Sequence, residues 1–384
     1  MHGNHNFTHR LAATSGGIAL YGATRVQAEQ AHEAMLAYLD SLGLADLVQA
    51  ESLASASRNG TRYCLTTRYA GWCAPGYDTL QLRRQLDLNP HNDPQDRQRE
   101  IMLSLLLGPL PFEFPSHAEL MSAVRMRQRI VEAGYKTAMN FKTEEADRPE
   151  EYWRYDEDTG FTLKPGTSLI TALQMATQPA HSGRLYAFSC YRATEYVILL
   201  GIAQELAHCN PALLERLQRQ WETRAIMSAK FHDSFLREYG SMEQPLPPCY
   251  YVPGDRLWFR NPDALSSDVT GYEGSWVVYL GNGEFTRFWR QGKPYSLAEK
   301  CIELYHWRHG VYRDGGGTLR MNEDTVAELT RRDLNDPLAT ELILQRMMRY
   351  RDPSGTYRQG GCIDTTREQP RWIHPETSDL LLPQ

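Results

Sequence analysis

The chain has 384 residues, of which 41% are hydrophobic and 23% are charged, a composition typical of a globular protein with one large or two smaller domains. Its formal net charge is −6, whereas nucleic-acid-binding proteins typically carry an excess of positive charge, so we expect no nucleic acid as a partner. No segment reaches the roughly 18 consecutive apolar residues of a membrane span, and no basic leader precedes an apolar core at the N-terminus. We therefore expect no membrane partner and a protein that is cytoplasmic or exported without a recognisable signal peptide.

The cysteines indicate neither a zinc site nor a disulfide scaffold. They are odd in number and widely scattered, and no two of them form a C-x-x-C pair, a pattern that fits a reducing compartment. The seven are Cys64, Cys73, Cys190, Cys209, Cys249, Cys301 and Cys362.

The first part of the chain carries weak structural signals. Residues 1 to about 25 are polar and rich in glycine, and residues 26–42 have the apolar periodicity of an amphipathic helix that ends at Gly43. The polar stretch 89–96 contains two prolines and is interpreted as a linker. We therefore predict an N-terminal extension over residues 1–95, whose role the sequence does not indicate.

Helices dominate the next part of the chain. Residues 115–119 open a helix, because Ser116 is a suitable N-cap and Glu119 completes a capping box. Further helices are predicted over residues 168–175, 191–206 and 211–238, with short extended segments at 152–154 and 161–163.

Cys190 lies at the N-terminus of the helix predicted over residues 191–206. Ala193, Val197 and Leu200 recur at i, i+4 and i+7 and give that helix an apolar face. The helix dipole favours the thiolate, which is the nucleophilic form, so the position predicts a thiol pKa below the free value of ~8.5. Cys190 is therefore a candidate catalytic nucleophile, and a buried structural cysteine is the alternative.

Strand signals begin at Pro253. A turn leads into a strand at residues 253–259, and residues 275–280 form a run of β-branched and aromatic residues. Asn282-Gly283 is a strong hairpin signal before a return strand over residues 284–289. Helices followed by an antiparallel sheet define an α+β fold. Helical patterns recur near residues 324–329 and 339–350, in a C-terminal extension predicted over residues 311–384.

Several short motifs between about residue 98 and residue 310 keep an order and spacing that resemble one enzyme family. They are Ser116-His117-Ala118-Glu119-Leu120-Met121, Arg125, Arg127, Ile130-Val131, Tyr152-Trp153-Arg154, Leu185-Tyr186-Ala187-Phe188 before Cys190, Gly254-Asp255, Phe259 and Asn261-Pro262. The segment resembles the protein-glutamine γ-glutamyltransferases, the transglutaminases of spore-forming bacilli, within the NlpC/papain-like cysteine enzymes. The resemblance implies a transglutaminase-like domain over residues 96–310, with a papain-like/NlpC-like core of N-terminal helices packed on an antiparallel sheet.

The resemblance also implies a reaction. Cys190 would attack the γ-carboxamide of a protein-bound glutamine and release ammonia, and a lysine amine would then resolve the thioester into an isopeptide crosslink. The implied partners are protein substrates that bear glutamine and lysine, and no cofactor is needed. Crosslinking is favoured over deamidation of the glutamine, and the oligomeric state is left open.

The polar partners that the resemblance implies for the nucleophile are replaced in this sequence. The family places a Glu directly before its Cys, where this chain has Ser189. It places a second Glu on the first hairpin strand, where alignment gives Ser275, and a His on the return strand falls near Phe288.

Other side chains are candidates for these roles. Glu273 would share a strand face with Ser275 and approach Cys190 if the strand extends that far, and a solvated turn glutamate is the alternative. His306 beside Trp307 is a further candidate, with a satisfied or surface histidine as the alternative. The candidate catalytic residues are thus Cys190, Glu273, Ser275 and His306.

Two other functions remain open. The replaced acid and His positions are consistent with a catalytically inactive, transglutaminase-like binding module. A cysteine peptidase of the NlpC type is the third hypothesis, although its His is also missing.

Overall fold

The structure, a computed structural model, describes residues 16–54, 59–74, 76–141, 146–225, 228–353 and 360–382. Within these ranges, none of the helices is both long and apolar enough to cross a membrane. The chain divides into two compact units, residues 1–120 and 121–384, whereas the sequence suggested divisions at residues 95 and 310.

The first unit combines a four-stranded sheet with helices. Its elements are β1 Gly17–Gly22, α1 Arg25–Ser41, β2 Val48–Ala54, β3 Asn59–Leu65, α2 Thr67–Ala70, α3 Thr79–Gln85, α4 Pro94–Leu106 and β4 Pro111–Phe114. The sheet has the order β2-β3-β1-β4, in which β1 is antiparallel to β3 and parallel to β4. Helix α1 confirms the helix predicted over residues 26–42. The stretch 89–96 lies inside this unit, where the side chain of Asp93 caps α4.

The second unit contains the remaining elements, of which α5 begins just before the unit boundary. The helices are α5 His117–Lys136, α6 Leu169–Thr177, α7 Pro179–Ser182, α8 Cys190–Cys209, α9 Pro211–Thr223, α10 Ser228–Phe235, α11 Ala264–Ser267, α12 Leu297–Gly310, α13 Glu323–Leu334 and α14 Pro337–Met347. The strands are β5 Asn140–Phe141, β6 Trp153–Asp156, β7 Gly160–Leu163, β8 Ala187–Phe188, β9 Leu236–Tyr239, β10 Arg256–Arg260, β11 Gly274–Gly281, β12 Glu284–Phe285, β13 Tyr295–Ser296, β14 Val311–Arg313, β15 Leu319–Met321 and β16 Arg367–Pro370.

A six-stranded antiparallel sheet separates two hydrophobic cores in this unit. Its order is β13-β12-β11-β10-β16-β9. Because side chains alternate along a strand, Val278 faces one core and Val277 faces the other. The core on the Val278 side, here the α8 core, contains the buried faces of α6, α8 and α9. The core on the Val277 side, here the α12 core, contains those of α12, α13 and α14. The predicted α+β class, with helices packed on an antiparallel sheet, is confirmed.

The hairpin predicted at Asn282-Gly283 is present. Both residues have positive φ, 56° and 74°, as a type I′ turn requires, and glycine and asparagine tolerate this backbone best. Strand β12 is shorter than the return strand predicted over residues 284–289, because its pairing with β11 is limited to two residues around a register shift.

The helix predicted over residues 211–238 is wrong at its C-terminal end. Helix α9 ends at Thr223, α10 follows it, and the chain then forms strand β9. Strand β9 pairs with β16, which lies more than a hundred residues further along the chain. This long-range pairing overrides the helical pattern and is not visible in the local sequence.

Close packing and buried ion pairs join α5 to α8. Gly201 lies directly against Ile130, where a Cβ atom would come within 2.9 Å of the Ile130 backbone nitrogen. Glu205 of α8 is fully buried, and its carboxylate accepts hydrogen bonds from the guanidinium of Arg125, at 2.8 Å, and pairs with Arg129 at 3.3 Å. Removing either arginine would leave buried negative charge poorly compensated.

We predict that Gly201→Ala lowers the free energy of unfolding. In a helix, alanine is more stable than glycine by about 1 kcal/mol. Overpacking against Ile130 costs about 1–3 kcal/mol, and we expect this cost to be the larger effect. At Gly315, an added Cβ atom would meet no heavy atom within 4 Å beyond the adjacent residues, so Gly315→Ala is the control and should leave stability unchanged or slightly higher. Urea denaturation measures both, and a Gly201→Ala variant as stable as the wild type would contradict the close packing.

Candidate functional site

The site begins at the N-terminus of α8. The helix starts at Cys190, and the Ser189 hydroxyl accepts a hydrogen bond from the backbone N–H of Arg192 at 3.3 Å, so Ser189 is its N-cap. Helix α8 is buried on all sides over most of its length, which fixes its position within the α8 core. The predicted placement of Cys190 at a helix N-terminus is confirmed.

The Cys190 thiol lies against strand β11. Burial raises its pKa, and this effect outweighs the backbone hydrogen bond from Trp276, the charge of Lys300, the backbone hydrogen bond from Tyr191 and the charge of Arg256, which all lower it. The prediction of a lowered thiol pKa is therefore wrong, because the effect of burial exceeds that of the backbone donors and positive charges around the sulfur. In the resting protein the group is a thiol at neutral pH, surrounded by groups that stabilise a thiolate.

A cavity of about 780 Å³, including space open to solvent, contains the half-buried Cys190. Ser275 lines the same cavity, so the structure brings these two predicted residues together. Aromatic side chains form much of the wall: Phe141 packs against Trp289 at 4.9 Å between ring centroids, and Trp307 contributes a further ring. The other lining residues are Gly271, Tyr272, Gly274, Arg287, Arg290, Tyr295, Lys300, Glu303, Met321, Glu323, Val326 and Ala327.

A cluster of charged residues in this cavity was missed by the sequence analysis. The Lys300 ammonium is almost fully buried and lies 3.2 Å from a Glu303 carboxylate oxygen. The Tyr295 hydroxyl donates to the same carboxylate at 2.8 Å, and Arg287 lies 3.5 Å from it. Glu303 thus accepts from three partners, and Lys300 adds positive charge beside the Cys190 thiol.

The sequence held only a partial signal for this cluster. Lys300 and Glu303 are three residues apart, a spacing that places both on one face of a helix. That spacing is usual for a solvated ion pair and does not show that the face is buried beside a cysteine more than a hundred residues earlier.

The structure does not bring the other two predicted residues to the thiol. Glu273 is exposed in the turn before β11, where its carboxylate accepts from the backbone N–H of Gly271 at 3.1 Å. His306 is buried elsewhere on α12, with Nε2 2.9 Å from an Asp333 carboxylate oxygen and Nδ1 3.0 Å from Nδ1 of His309. Neither Glu273 nor His306 is among the described residues that line the cavity.

The described ranges contain no group of three or more His, Cys, Asp or Glu side chains arranged to hold a metal ion.

The chain also matches a known family over most of its length. A family model described as protein-glutamine gamma-glutamyltransferase matches residues 79–381. The chain belongs to this family. Among solved structures, the chain is similar to a transglutaminase from Geobacillus stearothermophilus (without C-terminal extension), with 16% sequence identity and a TM-score of 0.39. That alignment covers 70% of this chain and 100% of that chain. No curated protein sequence matches the chain.

The match to the transglutaminase family extends beyond the segment in which sequence motifs were recognised. It runs past residue 310 and includes α13, which lines the cavity, and β16, which pairs with β10 in the main sheet. The C-terminal residues therefore belong to the same compact unit as Cys190.

A buried carboxyl group lies one and a half turns after the nucleophile candidate. Glu195 is 1% exposed, and its Oε2 accepts from the Arg192 guanidinium at 2.6 Å. Burial raises the pKa of Glu195 to about 7, against the opposing charges of Arg192 and Arg256.

We predict that Glu195 makes stability depend on pH. The unfolded carboxyl ionises near its ordinary pKa of 4.5, whereas the folded one ionises at about 7. At a pH between these two values, the carboxyl is ionised in the unfolded state and protonated in the folded state. The free energy of unfolding therefore falls as the pH rises. The free energy of unfolding of the wild type, measured relative to that of Glu195→Gln, should therefore decrease over this range and level off above it. Parallel pH profiles for the two proteins would contradict the raised pKa.

Proposed function

We propose that this protein transfers the γ-glutamyl group of protein-bound glutamine to a primary amine, with Cys190 as the nucleophile. The observation that carries the proposal is the placement of the thiol. Cys190 opens into a solvent-connected cavity at the N-terminus of a buried helix and receives backbone hydrogen bonds from Tyr191 and Trp276. Family membership supports the same reaction class.

The proposed reaction requires only the two substrates and the Cys190 thiol. The Cys190 sulfur bonds to the carboxamide carbon, the C–N bond breaks, and the thiol proton leaves with ammonia. A lysine amine then attacks the thioester carbonyl, the C–S bond breaks, and a proton from the amine returns to the sulfur. The backbone N–H groups and positive charge around the sulfur stabilise the negative charge that develops there.

The cavity wall supports an amine rather than water as the second substrate. The stem of a lysine side chain is apolar over four carbon atoms and packs well on aromatic rings. The rings of Phe141, Trp289 and Trp307 line the cavity that contains Cys190. This supports crosslinking over deamidation, with glutamine-bearing and lysine-bearing proteins as substrates.

Lys300 takes the electrostatic role that the replaced acid and His positions leave open. Its charge lowers the pKa of the Cys190 thiol, opposing the effect of burial. Its ammonium is held in place by Glu303 and packs on the Tyr295 ring, 4.2 Å from the ring centroid. An ordered, desolvated charge of this kind is more effective than one in water.

We predict that Cys190→Ser abolishes incorporation of a labelled primary amine into a glutamine-bearing protein, with ammonia release measured in parallel. The two side chains are close in size, so the melting temperature should stay near that of the wild type. Cys209→Ser is the matched control, at the opposite end of the same helix. Amine incorporation that survives Cys190→Ser and is lost in Cys209→Ser would overturn the assignment of the nucleophile.

We predict that Lys300→Met slows ammonia release at neutral pH on the order of tenfold or more, the effect of one pKa unit on the thiolate fraction. Methionine keeps most of the apolar stem and removes the charge. Lys293 is exposed on the same unit and outside the cavity lining, so Lys293→Met should keep the wild-type rate. Equal rates for the wild type and a folded Lys300→Met variant would count against the electrostatic role.

A further inference from the structure

Arg256 is a fully buried arginine beside the nucleophile. Its guanidinium carbon lies 4.4 Å from the ring centroid of Tyr191 and 4.1 Å from that of Trp276. The two rings meet edge to face at 5.2 Å, so the guanidinium packs in the corner between them. Tyr191 and Trp276 are also the two residues whose backbone N–H groups hydrogen-bond to the sulfur of Cys190.

Hydrogen bonds fix the guanidinium in that corner. Its Nε donates to the Thr194 hydroxyl at 2.8 Å, and that hydroxyl donates to the backbone carbonyl of Tyr191 at 2.7 Å. Its Nη1 donates to the Glu368 carboxylate at 2.8 Å. Arg256 therefore connects the first turn of α8 with strands β11 and β16.

We propose that Arg256 is a positioning residue, whose guanidinium holds Tyr191 and Trp276 so that their backbone N–H groups stay aimed at the Cys190 sulfur. The catalytic role of this arrangement rests on the proposed function. The arrangement itself concerns only the thiol and can be tested without a substrate.

A lysine at this position could not make the same contacts. The guanidinium is planar and presents its donors in a rigid fork, so it reaches Thr194 and Glu368 while covering both rings. An ammonium is a compact point charge on a flexible stem. Replacement of Arg256 by lysine therefore keeps the charge and loses the geometry, which separates positioning from simple charge stabilisation.

The test measures alkylation of Cys190 by iodoacetamide from neutral to alkaline pH, followed by peptide mass spectrometry. Arg256→Lys and Arg256→Met should both slow alkylation at neutral pH by about tenfold or more and move the midpoint of the pH profile upward. Amine incorporation should fall on the order of 10²-fold, the effect of about 1 Å of misplacement at a reacting group.

Arg367→Lys is the matched control for lost stability. Arg367 is equally buried and packs on the Tyr251 ring at 4.5 Å, on strand β16 of the same sheet. This control should lose stability with an unchanged alkylation profile. If both Arg256 variants fail to fold, Tyr191→Leu removes one ring of the corner and should also slow alkylation.

Two results would overturn the proposal. One is an Arg256→Lys variant with the wild-type alkylation rate and midpoint, which would leave charge as the only contribution of Arg256. The other is a folded Tyr191→Leu variant with an unchanged profile. A wild type that lacks amine incorporation would refute the proposed function alone, because the alkylation profiles would still decide the role of Arg256.

Discussion

Buried arginines paired with carboxylates are the interactions on which the second unit depends. A buried charge without a partner is strongly destabilising, so each pair fixes the two elements that supply it. Arg127 of α5 donates to Asp255 at 2.8 Å, and both side chains are only 3% exposed. This pair holds the turn that starts β10. The next residue along the chain is Arg256, which pairs with Glu368 of β16 and separately donates a hydrogen bond to Thr194 of α8.

Burial also sets the chemical state of the Cys190 side chain. A solvated thiol at a helix N-terminus would have a lowered pKa, whereas the burial of Cys190 raises its thiol pKa. The surrounding donors and the charges of Lys300 and Arg256 counter this effect in part. Because the net effect is a raised pKa, the resting group is a thiol at neutral pH. Burial also explains why Glu195, on the same helix, titrates near neutral pH.

The features that the sequence predicted are those with local signals. The start of α8 at Cys190 and the positive-φ turn at Asn282-Gly283 are decided by a few neighbouring residues, and both are present. Strand β9 was predicted as helix, because its pairing with β16 is a long-range contact. The polar side chains around Cys190 were missed for the same reason. Lys300 lies on α12 and Arg256 on β10, both far along the chain from α8, and only the fold brings them near Cys190.

The central claim is that Cys190 forms a thioester with a glutamine side chain. Its most direct test is mass spectrometry of the protein incubated with a glutamine-bearing donor peptide in the absence of an amine. The account predicts an adduct with the mass of the peptide minus ammonia, mapped to Cys190 and released when a primary amine is added. A protein that carries no adduct, or an adduct on another cysteine such as Cys209, would contradict it and would favour a binding module built on the same fold.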